Sequence, residues 1–342
     1  MTIEIGIAGC GWAGQRHGEV VAGREDAAIA AIAEPEAATR TEYATAWDVP
    51  AEYADYHEML RTAELDAVVI ALPHHLHEDA AVTAASQGIH VLVEKPIART
   101  LPEADRMLAA AADGGIRLVV AESARYEPWT DAVDRHLAAD AIGTPLFATM
   151  NRLADYGGRY RYDRSEWLND PERLGGGPWL LNGIHAVSVV RSWFEETGAG
   201  RPIHVTATDA RTPSFEAPTD MEGSVGATIA YESGAAGRIV IGVETPHCDR
   251  FNDVRIHGTD GTLVVDQGRR QLTVHRPDEP AATETIGDDD AFERQAGAFL
   301  DHVRTGEATR SAGRRERDSL AIVRAGYRSM DSAQAVRPDL LE

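Results

Sequence analysis

The 342-residue sequence predicts an α/β protein in two parts. A doubly wound parallel sheet spans residues 1–122, and an α/β domain with a mainly antiparallel sheet spans residues 123–342. Three observations predict this. Apolar strand-like runs alternate with helical segments as far as Ala121, joined by short loops. A Gly-x-Gly-x-x-Gly loop, Gly9-Cys10-Gly11-Trp12-Ala13-Gly14, joins the first strand to the first helix. Beyond residue 142 the alternation gives way to strands separated by tight-turn signals such as Tyr231-Glu232-Ser233-Gly234 and Gly258-Thr259-Asp260-Gly261.

Taken in order, Ile3 to Ala8 alternates and then runs apolar, as a buried strand does, and Gln15 to Ala22 reads as helix. Between them the glycines let backbone approach a pyrophosphate, which then sits at a helix N-terminus. All six residues of the loop are candidate cofactor contacts. Ala27 to Ala33 is the second strand and ends in Glu34. An acidic side chain there accepts hydrogen bonds from the ribose hydroxyls of an adenosine and repels a 2′-phosphate, so NAD is expected over NADP. Arg40, on the following helix (Pro35 to Trp47), keeps NADP open. A solvated residue at a strand end is the plainer alternative for Glu34.

Asp55 to Thr62 reads as a short helix and Asp66 to Leu72 as a buried strand closed by Pro73-His74-His75-Leu76-His77. Histidines this close invite a metal, but no carboxylate or thiolate partner is marked elsewhere, and no metal is expected. Leu72, Pro73, His74 and His77 instead stand at the carboxyl edge of a strand, where parallel sheets place cofactors. Glu78 to Gln87 is the next helix, Ile89 to Val93 the next strand, and Thr100-Leu101-Pro102-Glu103 a helix start with Thr100 as cap. Ile116 to Ala121 closes the first domain. In the second, Gly143 to Leu153, Pro202 to Arg211, Gly223 to Tyr231, Gly237 to Glu244, Arg255 to Gly258, Thr262 to Asp266 and Gln271 to Arg276 read as strands. Pro178 to Phe194, Phe292 to Arg304 and Arg314 to Met330 read as helices, the last two expected to pack back across the first domain.

Lys95 is the single lysine in the chain; every other strongly basic residue is arginine. It follows an apolar strand and Glu94, and precedes Pro96; Glu94 and Lys95, at the carboxyl end of that strand where parallel sheets place their ligands, are further candidate cofactor contacts. Arginine cannot be deprotonated in a protein, whereas a lysine in such a place can give and take a proton near neutral pH. Survival by chance in a lysine-poor composition is the competing explanation.

Composition narrows the partners. Acidic residues number 55 against 33 basic, a net charge of −22, which repels phosphate backbones and makes nucleic acid an unexpected partner. The carboxylates are spread along the chain, as in Glu25-Asp26, Glu195-Glu196 and Asp288-Asp289-Asp290. With lysine so scarce, such a surface resembles those of salt-loving organisms. Two cysteines, Cys10 and Cys248, cannot make a disulfide framework, no charged-then-apolar leader opens the sequence, and no apolar run matches a bilayer. A cytoplasmic protein without a membrane partner is expected.

These motifs together resemble the Gfo/Idh/MocA family of nicotinamide-dependent oxidoreductases. The carriers are the Gly9–Gly14 loop, Glu34, Pro73 with His77, Glu94-Lys95-Pro96, Arg125-Tyr126 with Pro128, Ile142-Gly143-Thr144-Pro145, and Gly175-Gly176-Gly177 followed by Gly183-Ile184-His185. The resemblance implies a Rossmann domain, a C-terminal open-sheet domain often used for oligomer contacts, and hence a homodimer or homotetramer. It implies a hydride transfer between NAD, or NADP, and a hydroxyl carbon of a sugar, sugar acid or cyclitol. Lys95 and His185 are then the catalytic candidates, and a cis Lys95–Pro96 peptide is implied too. Relatives place an aspartate or asparagine four residues before that histidine and an aspartate three after. Here Leu181 and Ser188 stand there, with Asn182 displaced by one position to another helix face, which shifts weight onto Lys95.

Substrate candidates come from a stretch rich in aromatic and hydrogen-bonding groups: Arg125, Tyr126, Arg152, Tyr160, Trp167, Asn182 and His185, with Tyr156, Arg161, Tyr162 and Asn169 alongside. Aromatic faces stack on sugar rings and guanidinium groups chelate carboxylates. Two alternatives from other classes stay open: an NAD-dependent redox-neutral glycosidase, and a non-catalytic dinucleotide-binding regulator.

Overall fold

The computed structural model describes residues 2–153, 166–210, 221–242 and 251–341. The chain forms two compact units, Met1–Ser123 with Asp290–Arg317, and Ala124–Asp289 with Asp318–Glu342.

The first unit is built on six strands: β1 (Ile3–Ala8), β2 (Ala27–Ala33), β3 (Ala51–Tyr53), β4 (Ala67–Ile70), β5 (His90–Glu94) and β6 (Leu118–Ala121). They lie in the order β3-β2-β1-β4-β5-β6, with every neighbouring pair parallel. After β3 the chain returns past β1 to begin β4, so the carboxyl ends of β1 and β4 are adjacent at the switch in strand order, where open α/β sheets bind ligands. Strands β4 and β6 are apolar and buried along their whole length, as strands covered on both faces are. Ile5, Ile7, Ile32, Val69, Leu92 and Val119 form the core with Phe299 and Leu300, which arrive from later in the chain.

The helices of this unit are α1 (Trp12–Ala22), α2 (Ala37–Ala46), α3 (Tyr56–Thr62), α4 (His77–Ser86) and α5 (Leu101–Asp113). The expected start of α5 is a full capping box: Thr100 Oγ1 accepts the Glu103 amide at 3.4 Å and Glu103 accepts the Thr100 amide at 3.3 Å.

The second unit holds α6 (Pro128–Ala138), β7 (Pro145–Leu153), α7 (Ile184–Glu196) and strands β8 (Pro202–Ala210), β9 (Ser224–Tyr231), β10 (Ala236–Gly242), β11 (Phe251–Gly258), β12 (Thr262–Asp266), β13 (Gln271–His275) and β14 (Ala282–Thr285). The sheet order is β14-β13-β12-β11-β7-β10-β9-β8. β7 and β10 pair in parallel and the other neighbours are antiparallel, so the sheet is mixed and mostly antiparallel. Burial alternates along β9 and β12, the period-two signature of a sheet with one covered face. α7 packs on β7 and β10, and Gly237 is the contact: a Cβ there would lie 2.4 Å from Val190.

Two helices follow, α8 (Ala291–Thr305) and α9 (Gly313–Ser332). α8 belongs to the first unit. Asp290 caps it and takes the Arg16 guanidinium of α1 at 2.6 Å, and Phe292 sets its ring edge-on to Trp12 and His17. Among the described residues no helix is long and apolar enough to cross a membrane.

Candidate active site

The glycine loop does what its spacing predicts. Gly9 has φ +91°, a conformation side chains rarely adopt, and a Cβ on Gly14 would lie 1.9 Å from the Gly9 carbonyl oxygen. Gly11 is the N-cap of α1 and offers no side-chain cap, while a Cβ there would meet nothing within 4 Å. The first amides of α1 therefore face an open approach, as a pyrophosphate requires. These residues fit a dinucleotide. Trp12 is 60% exposed, with its ring against Phe292.

Cys10 is buried, and desolvation, with the nearby Glu34 charge, pushes its thiol up to about 12, so it stays a neutral packing residue. Its amide donates to Glu34 Oε2 at 2.9 Å, and Glu34 Oε1 accepts the Glu36 amide at 3.1 Å. Glu34 is thus no loosely solvated residue: its carboxylate is fixed against the glycine loop. Arg40 donates to the Glu34 carbonyl at 2.6 Å and lies 3.8 Å from Glu52.

The turn after β5 carries Lys95, which is half-buried and joined to Pro96 by a cis peptide. Two buried histidines hold this turn. His17, on α1 and 2% exposed, places Nε2 3.1 Å from Glu94 Oε1, and Glu94 Oε2 accepts the Lys95 amide at 3.0 Å. Burial works to raise the Glu94 pKa, but the His17 hydrogen bond and charge, with the Lys95 charge, outweigh it and hold the carboxyl below its ordinary range. His77, 0% exposed, sets Nδ1 3.1 Å from the Pro96 carbonyl and Nε2 2.9 Å from the Leu72 carbonyl. Burial pushes its pKa down.

His77 and Glu94, expected as cofactor contacts, are buried and brace the turn, while Leu72 is part-exposed and meets His77 through its carbonyl. Their polar atoms face one another across the ends of β4 and β5. His74 is likewise 3% exposed and packs on the His77 ring. Among the described residues no three metal-ligating side chains gather as a metal site. His17 carries no signal in the sequence, because its partner is 77 positions away.

In the second unit the segment read as one helix starts differently. Trp179–Gly183 forms a π-helical turn before α7 begins at Ile184. From Gly177 to Phe194 every residue is buried except Asn182 and His185. Asn182, in the π-helical turn, and His185, in the first turn of α7, are thus the part-exposed polar residues of this segment. Leu181 and Ser188 are buried, at 9% and 1% exposure.

Arg125 and Tyr126 are buried too, at 2% and 4%. Arg125 Nη2 reaches Glu196 Oε1 at 3.3 Å, at the far end of α7. Eleven residues of helix separate Glu196 from His185, about 16 Å at 1.5 Å per residue. The structure does not bring Arg125 and His185 together. Arg152, on β7, and Trp167 are part-exposed. Tyr156, Tyr160, Arg161 and Tyr162 lie outside the described residues, and the Asn169 side chain does as well.

A six-strand sheet of this order, with an uncapped glycine loop at its switch point and an acidic residue following β2, defines a dinucleotide-binding Rossmann domain. Residues 3–122 match the family model described as "Oxidoreductase family, NAD-binding Rossmann fold", and residues 130–264 match the GFO/IDH/MocA C-terminal domain. D-xylose 1-dehydrogenase (NADP(+)) 2 of Haloferax volcanii is 30% identical over 316 residues, covering 91% of this chain and 92% of that protein. The scyllo-inositol 2-dehydrogenase (NADP(+)) IolU of Bacillus subtilis is 29% identical over 279 residues, 81% of this chain and 78% of that one. The solved levoglucosan dehydrogenase, in complex with NADH and levoglucosan, shares the fold with a TM-score of 0.90 at 21% identity, over 99% of this chain and 100% of that one. The chain belongs to the GFO/IDH/MocA oxidoreductase family and is an NAD(P)-dependent dehydrogenase.

Proposed function

We propose that the chain reversibly oxidises a hydroxyl-bearing carbon of a sugar, sugar acid or cyclitol, with NAD preferred. A nicotinamide dinucleotide held by the Gly9–Gly14 loop and Glu34 would supply the hydride acceptor. Lys95 or His185 takes the hydroxyl proton, since an amine and an imidazole are the two candidate groups that exchange protons near working pH. Part-exposed Arg152, Trp167 and Asn182 are the favoured substrate contacts, and buried Arg125 and Tyr126 act as supports.

The observation that carries this is the setting of Lys95. The chain's single lysine stands at the carboxyl end of β5, on a turn whose two neighbours, Glu94 and Pro96, are held by His17 and His77. An arginine there would supply charge but no proton exchange. The Glu34 carboxylate, fixed beside the glycine loop, supports NAD by accepting from ribose hydroxyls and repelling a 2′-phosphate. The relatives acting on D-xylose and scyllo-inositol support a polyol substrate. A homodimer or homotetramer belongs to the same reading.

Lys95→Met tests it, on a panel of sugars, sugar acids and inositols with NAD and NADP side by side. Turnover is expected to vanish while NAD binding persists; full activity of the variant on the native enzyme's best substrate refutes the proton role. NADH accumulating in step with product separates this reaction from a redox-neutral hydrolysis.

A further inference from the structure

The start of the π-helical turn leaves a set of backbone amides that the helix itself cannot satisfy. Pro178 has no N–H. Those on Gly177 and Trp179 are taken by side chains from distant parts of the second unit, and the Leu180 amide, which donates to the Gly177 carbonyl at 3.0 Å, is shared with one of them. Tyr327 Oη, on α9, accepts from Gly177 at 2.9 Å and Leu180 at 3.2 Å. Glu222 Oε1 accepts from Trp179 at 2.7 Å, and Tyr327 donates to that same oxygen at 2.7 Å.

The sequence makes room for both. A Cβ on Gly176 would lie 2.5 Å from Tyr327 Oη, and one on Gly177 would lie 2.6 Å from Glu222 Oε2. Arg324 ties the same stretch from α9, donating to the Gly175 carbonyl at 2.8 Å with its guanidinium 5.5 Å from the Tyr327 ring centroid. The Trp179 indole donates to the Val323 carbonyl at 3.1 Å, and Gly183 leaves space for its ring, since a Cβ there would be 2.4 Å away.

This clamp fixes the helical phase of Asn182 and of α7 after it. A slip of one residue turns a helix by about 100°, which would bury Asn182 and His185 and present apolar neighbours such as Leu181 and Ile184 in their place. We propose that Glu222 and Tyr327 are positioning residues: by holding the Gly177 and Trp179 amides and sharing that of Leu180 they set the phase at which Asn182 and His185 face outward. The proposal rests on the reading of His185 as a proton-handling group. The raised pKa of Glu222, caused mainly by burial at 6% exposure, fits a carboxyl kept for its contacts rather than for exchange with solvent.

Tyr327→Phe removes one oxygen and with it the acceptor of the Gly177 amide, the second acceptor of Leu180 and the donor to Glu222. In the full-length protein kcat is expected to fall about 10- to 100-fold, the cost of a misplaced reacting group, with the dissociation constant for NAD within about 2-fold, as no group of the glycine loop is touched. The direct readout is the His185 imidazole signal in a histidine-labelled NMR spectrum, assigned by its loss in His185→Gln. It should move in Tyr327→Phe and in Glu222→Ala, and stay near its native position in Glu222→Gln, which keeps an acceptor for Trp179. Should Tyr327→Phe fail to fold, the two Glu222 variants carry the test. An unmoved His185 signal in Glu222→Ala, or in a folded Tyr327→Phe, overturns the inference. Full turnover by His185→Gln overturns the proton role of His185 instead and leaves the signal shift to judge the clamp.

Discussion

His17→Ala removes one half of a buried pair and leaves the other half charged. His17 and Glu94 are 2% and 9% exposed, with 3.1 Å between Nε2 and Oε1. Truncating one member of a buried pair costs about 3–5 kcal/mol, because the surviving charge stays desolvated. Glu94 keeps the Lys95 amide at 3.0 Å and the nearby ammonium, so the lower end, about 3 kcal/mol, applies. For a unit of this size, where each kcal/mol is worth about 2–4 °C, the melting temperature should drop by about 6–12 °C. The pH dependence has a definite sign. Glu94 titrates below its ordinary 4.5 in the fold, so it contributes stability above that value and loses it as pH falls through the folded pKa. Without His17 the depression shrinks, and the gap between native and variant should narrow as pH falls below 4.5. Calorimetry at fixed molar KCl from neutral pH downward measures this. The double variant with Glu94→Gln, which removes the stranded charge, should cost less than the sum of the singles by about 1 kcal/mol or more. A His17→Ala melting point within about 2 °C of native at neutral pH, or strictly additive costs, would refute the pairing.

Two further outcomes are expected. Glu34→Ala removes the acceptor for the Cys10 and Glu36 amides and the charge that opposes a 2′-phosphate, so the kcat/KM ratio of NAD to NADP should fall by about 10-fold or more; an unchanged ratio would separate Glu34 from cofactor choice. With a net charge of −22, the native protein should melt higher in molar KCl than in dilute buffer, since screening shortens from about 30 Å at 0.01 M to about 3 Å at 1 M. A melting temperature flat across that range would remove the salt-adapted reading of the surface.

The features legible in the sequence are local ones. The glycine loop, Glu34 at the end of β2, the Thr100–Glu103 capping box and the strand that delivers Lys95 all announce themselves within a few residues, because the physics of turns, caps and buried strands acts over that range. β3 and β14 are not legible. Ala51–Tyr53 is too short to show a period, and Ala282–Thr285 is mostly exposed and has no apolar alternation. β11 opens at Phe251, before the Arg255 where alternation becomes visible. α6 is absent from the sequence reading as well, although Pro128 at its first turn is a start signal. The π-helical turn is invisible for another reason. One extra residue in a helical turn changes no composition, and the groups that hold it, Glu222 and Tyr327, come from 43 and 150 positions beyond the amides they take.

The pattern of buried polarity argues that position, more than stability, decides what surrounds Lys95. His17, His77 and Glu94 are each 9% exposed or less, and each gives up hydration that apolar side chains of similar size would not have to give up. Glu94 takes the Lys95 amide and is itself paired with His17, and His77 lies against the Leu72 and Pro96 carbonyls. His77 is the sharpest case. Burial keeps its ring neutral, and a neutral imidazole has a single N–H for two carbonyls, so the tautomer in force decides whether the end of β4 or the Pro96 turn receives the proton. An apolar residue would pack that space at less cost and leave both carbonyls without a partner, and the turn carrying the chain's single lysine would lose the tie that sets its direction.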